Sequence, residues 1–480
     1  MKLNLIIIAT LASALLGGGA SRAQSTQGVF FDGAQDPASK EVMKQAEADI
    51  EKYRKGDFTL RFVDEKGAEI RNAAATAELF QHQFAFGTIL RKLLPLPEDS
   101  KVRREALKAI TDIFNTVIVA GYWEEQKPGK ADAFDSPKQE YDWAVRNGLR
   151  TRFHAILYNV PSFIPTDKKL TEKDYWNIIE TRIKDVAKNF GGKIPEFDVM
   201  NEMFTRKSFS DRIRNTNPAF PDFTDPAVAK RIFDIARKYL PNAKLVCLET
   251  QPDVRPPAAD KSIPSAFDGP FVDYSKKLRD LGGAHDYVGI QGHYFTKGAP
   301  FQEGQKGPGG KERFTMAGVS KALDKMASVG RPVVITEFNG PSRNNKEPKA
   351  AQDKLWTMSD AENSAWQINY YKLAFSKPYV VELTRWYQVD NMNGRGMDAG
   401  IIDGKGEKKR IYYDLKKLIK EEWHTRVDGR TDGKGVLAFR GFYGDYDIRV
   451  DGYKPARVRL HDDGKGKGKT VEVVLLAGAK

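Results

Sequence analysis

Short apolar runs recur along residues 84–423, and after most of them the hydrophobic residues return at helical spacing. Eight runs read as strands: 84–90, 116–122, 151–158, 197–201, 244–249, 287–294, 333–338 and 382–388. They are almost continuously apolar, the pattern of strands buried on both faces. Among the intervening segments, 101–114, 141–147, 175–190, 228–240 and 319–329 carry the clearest helical period, and 411–422 closes the series. Such alternation predicts a (β/α)8 TIM barrel, with helices ringing an inner parallel sheet.

Outside this region the pattern changes. Val42, Ala46, Ile50 and Tyr53 give 41–55 a helical face, 58–63 alternates, 64–67 turns, and 68–80 is extended again. Beyond Trp423, short alternating strands at 435–440, 444–450, 457–460 and 470–475 are divided by glycine-rich turns. An accessory β-sandwich-like piece is expected. Barrel termini lie near one another, so the early and late strands are expected to form it jointly. The expected organisation is a signal peptide at 1–23, an N-terminal helix and small β unit at 24–83, a catalytic barrel at 84–423 and a C-terminal β domain at 424–480.

The first residues carry Lys2, an apolar run over 5–16 and the small-residue site Ser21-Arg22-Ala23. This is the build of a secretory leader, too short in its apolar part to span a bilayer comfortably. A secreted or periplasmic protein, cleaved near Ala23 and without a stable membrane anchor, is expected. The chain has 480 residues, 40% hydrophobic and 11% aromatic, enough for a large core with rings left over for a cleft. Its net charge of +13 becomes +11 without the leader. An anionic glycan suits that charge, although a solvated basic surface accounts for it more simply. No nucleic-acid motif accompanies the basic residues, and no nucleic-acid partner is expected. The single cysteine, Cys247, rules out an internal disulfide and reads as a buried inert thiol. Zinc, phosphate-loop and dinucleotide motifs are absent, so no cofactor is expected. Asp132 and Asp135 lack metal-ligand spacing, and a structural metal stays open. A monomer is expected.

Candidate chemistry lies at two strand ends. One apolar strand runs through Phe197-Asp198-Val199-Met200 to Asn201-Glu202, and another, Val333-Val334-Ile335-Thr336, delivers Glu337. In a barrel both glutamates reach the mouth at the carboxyl ends of the strands. Paired carboxylates there suit glycosidic cleavage, about 5–5.5 Å apart in retaining enzymes, with like charges pushing one pKa up. The simpler alternative is a helix cap or a salt bridge at the rim. Tyr122, Trp123, Tyr158 and Trp386 are candidate platforms for sugar rings, though core packing suits each equally well.

Four stretches taken together resemble family-ten glycoside hydrolases, the endo-β-1,4-xylanase family. They are Phe197-Asp198-Val199-Met200-Asn201-Glu202, Val334-Ile335-Thr336-Glu337-Phe338, Arg152-Phe153-His154-Ala155-Ile156-Leu157-Tyr158 and Gly289-Ile290-Gln291-Gly292-His293. The likeness covers about residues 84–422. It implies Glu202 as acid/base and Glu337 as nucleophile. Asn201 would then bond the 2-hydroxyl of the reacting sugar. His293 would keep the nucleophile ionised with Gln291 nearby, His154 would contact the same sugar, and Trp386 would wall it. The sugar-reading segments depart from the family: Ala120-Gly121-Tyr122-Trp123-Glu124-Glu125, Tyr158-Asn159 and Asn391-Met392-Asn393-Gly394-Arg395 stand where xylanases carry other residues. The resemblance therefore implies retaining hydrolysis of a polysaccharide or oligosaccharide, with a xylan-like β-1,4 backbone as default. Two alternatives remain: the same chemistry on an acidic or sulfated glycan, and glycan binding without catalysis.

Overall fold

The computed structural model describes residues 31–122, 134–158, 167–250, 270–295, 314–342, 358–392, 398–464 and 469–478. The expected leader, Trp123, Glu124, Glu125, Asp132, Asn159 and residues 393–395 lie outside them. The described chain enters through helix Pro37–Tyr53, whose Asp36 cap accepts the Ser39 amide. Immediately after it, Arg54 donates to the carbonyls of Phe375, Lys377 and Val380, tying the helix end to the barrel. Two strands follow, β1 (Lys55–Asp64) and β2 (Ala74–His82).

The barrel is built from β3 (Ala85–Ile89), β4 (Thr116–Ala120), β5 (Arg150–His154) with its continuation β6 (Leu157–Tyr158), β7 (Glu196–Asn201), β8 (Lys244–Glu249), β9 (Tyr287–Ile290) with its continuation β10 (His293–Phe295), β11 (Val333–Ser342) and β12 (Val380–Arg385). Neighbours pair in parallel in the order β3-β4-β5-β7-β8-β9-β11-β12, and β12 pairs with β3 to close the ring. Two strands expected to run unbroken, 151–158 and 287–294, are each interrupted near the mouth. In the second, Gly292 adopts a left-handed φ of 79°, and a Cβ there would meet Ile335 Cγ2 at 2.9 Å. Only glycine turns easily at that point.

The expected helices form, several with one more turn at the amino end, and Lys207–Arg214, Pro270–Asp280 and Asp360–Ser376 join them. Asp360–Ser376 escaped the periodicity because it buries residues all round, including Trp366, Tyr370, Tyr371 and Phe375. It lies between the barrel wall and helix Pro37–Tyr53, so it has no polar stripe. Its start is marked instead by a capping box of Ser359 and Glu362.

The barrel interior is not wholly apolar. Arg152 is fully buried, with Nη1 2.8 Å from Glu382 Oε1 and Nε 3.5 Å from Asp198 Oδ2. Below it, burial and the neighbouring Glu382 carboxylate push the Glu196 pKa well above the ordinary glutamate value.

The tail supplies β13 (Arg426–Arg430), β14 (Val436–Phe442), β15 (Gly444–Val450), β16 (Ala456–Leu460) and β17 (Lys469–Leu475). They join the early strands in two sheets, ordered β14-β1-β17 and β13-β2-β15-β16. The accessory unit is thus composite, with β1 central in its sheet, antiparallel to β14 and parallel to β17. Phe58, Leu60 and Phe62 alternate inward from β1. Strand β13 carries a single apolar side chain, Val427, and its polar edge position explains why its sequence gives no strand signal. His82 packs edge-on against Phe86, Phe375 and Phe442, joining the sandwich to the barrel.

Two outcomes follow from this architecture. Truncation after Trp423 strips β1 of both partners, and the product is expected to be aggregated or to lose the cooperative thermal transition, as calorimetry will show. Arg152→Met leaves Asp198 and Glu382 buried without their cation, at an expected cost of about 3–5 kcal/mol in urea unfolding.

Candidate active site

Strand β7 delivers Asn201 and, one residue beyond its end, Glu202. Its register against β8 shifts between Asp198 and Met200, which breaks strict two-residue alternation just before the pair. Glu202 itself sits at a left-handed φ of 57°, a conformation that non-glycine residues seldom adopt outside constrained sites. Glu337 arrives on β11, its amide bonded to the Gln291 carbonyl at 2.8 Å.

Gln291 joins the two carboxylates. While its backbone holds Glu337, its Nε2 donates to Glu202 Oε1 at 2.8 Å and to Asn201 Oδ1 at 3.2 Å. The Tyr122 phenol feels both glutamates as well: burial first, then the charges of Glu337 and Glu202, push its pKa far up. Both carboxylates are largely buried, with side-chain exposures of 11% for Glu202 and 6% for Glu337.

The surroundings of the two differ. Glu337 Oε2 faces His293 Nε2 at 3.2 Å, and Oε1 lies 3.5 Å from His154 Nε2. Burial alone raises the Glu337 pKa, but the His293 hydrogen bond and the charges of His154, His293 and Arg152 outweigh it and hold the carboxyl below the ordinary glutamate value. Each histidine is fixed from behind. His154 Nδ1 donates to Asp198 Oδ2 at 2.7 Å, and its ring is flanked edge-on by Tyr122 and Trp386. His293 Nδ1 lies 2.5 Å from Asn339 Oδ1. The Asn339 amide donates to the Gly340 carbonyl and Ser342 Oγ, which orients its oxygen toward the imidazole. His293 Nδ1 then donates to Asn339, and Nε2 donates to the Glu337 carboxylate when the ring carries both protons.

Glu202, by contrast, is ringed by donors. Tyr158 Oη donates to Oε2 at 2.9 Å and Arg206 Nε at 2.8 Å, opposite the Gln291 bond to Oε1. The loop beyond Glu202 is pinned by Glu249, whose carboxylate accepts the amides of Phe204 and Thr205 and the Thr205 hydroxyl. Burial, and then the nearby Glu202 charge among the raising influences, push Glu249 up to about 7. Arg182 reaches from helix Glu172–Phe190 to the carbonyls of Gly121, Ala155 and Ile156, fixing the strand ends that carry Tyr122 and His154.

All eight residues singled out from the sequence therefore converge on one mouth: Glu202, Glu337, Asn201, Gln291, His154, His293, Trp386 and Tyr158. Reading the sequence missed the positioning residues Asp198, Asn339, Arg206, Glu249 and Arg182. Asp198 had a visible signal, a charge inside an otherwise apolar strand. Arg206 had one too, its four-residue spacing from Glu202, whereas nothing local distinguishes Arg182 from a solvated helix residue. Among the described residues, no group of three or more His, Cys, Asp or Glu is placed to hold a metal ion. No described helix is long and apolar enough to cross a membrane.

Known proteins resemble this chain over most of its length. The anti-sigma-I factor RsgI6 of Acetivibrio thermocellus is 26% identical over 410 residues, covering 85% of this chain and 46% of its own length. Endo-1,4-beta-xylanase 1 of Arabidopsis thaliana is 22% identical over 413 residues, covering 85% of this chain and 38% of that protein. The chain thus spans less than half of these curated relatives. Among solved structures, xylanase 10B of Thermotoga petrophila RKU-1 in complex with xylobiose superimposes with a TM-score of 0.52 at 16% identity. It covers 70% of this chain and 94% of the xylanase, a likeness of fold. The sequence profile of Glycosyl hydrolase family 10 matches residues 76–417, and the chain belongs to that family.

Proposed function

We propose that this chain is a retaining β-glycoside hydrolase of endo-xylanase type, acting on a xylan-like β-1,4-linked backbone through Glu337 and Glu202. The supporting observation is the convergence of both carboxylates on Gln291 in unlike surroundings. Glu337, held ionised by His293, His154 and Arg152, attacks the anomeric carbon. Glu202 gives its proton to the departing glycosidic oxygen. It then takes a proton from water, which displaces Glu337 and frees the sugar with its configuration retained. Asn201, fixed through Gln291, is placed beside Glu202 to bond a sugar hydroxyl. Trp386, edge-on to His154, supplies an apolar wall. The leader pattern of residues 1–23 supports action outside the cytoplasm.

A second reading, glycan binding without turnover, is favoured by one observation. A relative that covers 85% of this chain is named for anti-sigma activity, not hydrolysis. The two readings separate on a polysaccharide panel with reducing-end readout.

Glu337→Gln is expected to lower turnover by at least about 10³-fold with unchanged thermal unfolding, and proton NMR of the wild-type reaction is expected to show retained anomeric configuration. Turnover by the variant near the wild-type rate, or an inverted product, refutes the mechanism. A second expectation concerns pH. Because the Glu337 pKa is depressed, activity persists as pH falls below the ordinary glutamate range and is lost only once Glu337 takes up a proton. His293→Ala removes a lowering influence, so the acid limb of kcat/KM is expected to move up by about one pH unit. An unmoved limb contradicts the assigned role of His293.

A further inference from the structure

The residue next to Glu202 poses a chemical problem. Arg206 Nε lies 2.8 Å from Glu202 Oε2, and its Nη2 donates at 3.2 Å to the Tyr158 hydroxyl, which itself donates to the same carboxylate oxygen. With Gln291 on the other oxygen, all three of these side chains donate to the Glu202 carboxylate. A guanidinium pairs with an ionised carboxylate, whereas a general acid has to carry a proton to the leaving oxygen. For Glu202 to play that part, the Arg206 charge needs a different anion.

The geometry shows where that anion comes from. The Arg206 side chain is 44% exposed and that of Glu202 is 11%, so the guanidinium lies on the open side of the pair. Its backbone leaves a loop that Glu249 pins at Phe204 and Thr205, and the Arg206 amide closes onto the Glu202 carbonyl at 3.1 Å. The base of the side chain is therefore fixed while its head faces the cleft. A second guanidinium, that of Arg91, lies 4.1 Å over the ring of Tyr122, which senses both glutamates. A second cation therefore stands beside the mouth, over Tyr122.

We propose that Arg206 recognises a carboxylate on the substrate, a uronate unit or branch on the leaving-group side, and that this contact releases Glu202 to act as the acid. The incoming group has the same chemistry as the one it replaces. A substrate carboxylate takes the planar fork of the guanidinium, and Glu202 keeps its bonds to Tyr158 and Gln291 while taking up from solvent water the proton it will donate. A neutral chain offers no such exchange, and Arg206 stays on Glu202. The substrate class is then an acidic glycan with a β-linked backbone, a refinement that rests on the two-glutamate reading.

The test compares three probes: a linear xylo-oligosaccharide, the same chain bearing a glucuronate branch, and that branch as its methyl ester, which keeps size and removes charge. The wild type is expected to prefer the free acid over the ester in kcat/KM. Arg206→Gln is expected to shrink that preference about ten- to a hundredfold, and Arg206→Lys, which keeps charge without the fork, to retain part of it. Calorimetry in the Glu337→Gln background is expected to show the same loss in affinity for the acid over the ester when Arg206→Gln is added. A wild type that treats acid and ester alike, or an Arg206→Gln variant that keeps the full preference, overturns the inference while leaving the two-glutamate mechanism intact. If the wild type cleaves none of the probes, or Glu337→Gln cleaves them equally well, the mechanism fails, and the calorimetric arm still decides whether Arg206 reads the carboxylate. Should Arg206→Gln misfold, the acid-to-ester comparison in the wild type and the lysine variant decide it.

Discussion

Arg152 stands inside the barrel with no exposure to water, and the site above it is built on the charges that accompany it. An arginine in that position is tolerable only with anions beside it, here Asp198 on one side and Glu382 on the other. Asp198 is then shared between Arg152 and the imidazole of His154, whose Nδ1 it holds. His154 is thereby oriented with Nε2 toward Glu337. The mouth is thus connected to the barrel interior by a column of buried charge, Glu382–Arg152–Asp198–His154–Glu337. Such a column contributes little net stability for its desolvation cost. What it supplies is a fixed position and a positive field beneath one carboxylate.

That field separates two glutamates that look alike in sequence. Glu337 sits over Arg152 and between two imidazoles, and its charge is favoured despite burial. Glu202 lies among a phenol, an amide and a guanidinium, each supplied by a different part of the chain: β6, the end of β9 and the turn before helix Lys207–Arg214. Placing titratable groups in contrasting environments is the physical means by which one site runs acid and base chemistry together. The left-handed backbone at Glu202 and the pinned loop after it show how much of the surrounding structure is spent on holding that one side chain.

The opposite end of the barrel has a different task. Early and late strands combine into two sheets, and an aromatic joint of His82, Phe86, Phe375, Phe442 and Trp423 seats them against the barrel. The His82 imidazole is buried so fully that its pKa falls to about 3, so it packs as a neutral ring. Structural support gathers away from the mouth, which is left free to change.

The barrel was legible in the chain because buried parallel strands have to be continuously apolar and their covering helices amphipathic, and those periods can be counted residue by residue. The glutamates were legible because strand rank in such a barrel dictates which side chains reach the mouth. The composite sandwich was foreseeable from the closeness of barrel termini, but β13 was not, since a polar edge strand is defined by its partner and not by its own composition. Helix Asp360–Ser376 was hidden for the reverse reason: buried on every side, it has no stripe to detect. Arg182, Asn339 and Glu249 lay beyond any local reading, because each takes its meaning from a group tens of residues away. Sequence alone determined which strands bring the carboxylates to one rim. Tertiary packing decided which charges stand beside each, because fields act through space and the order of residues along a chain does not record them.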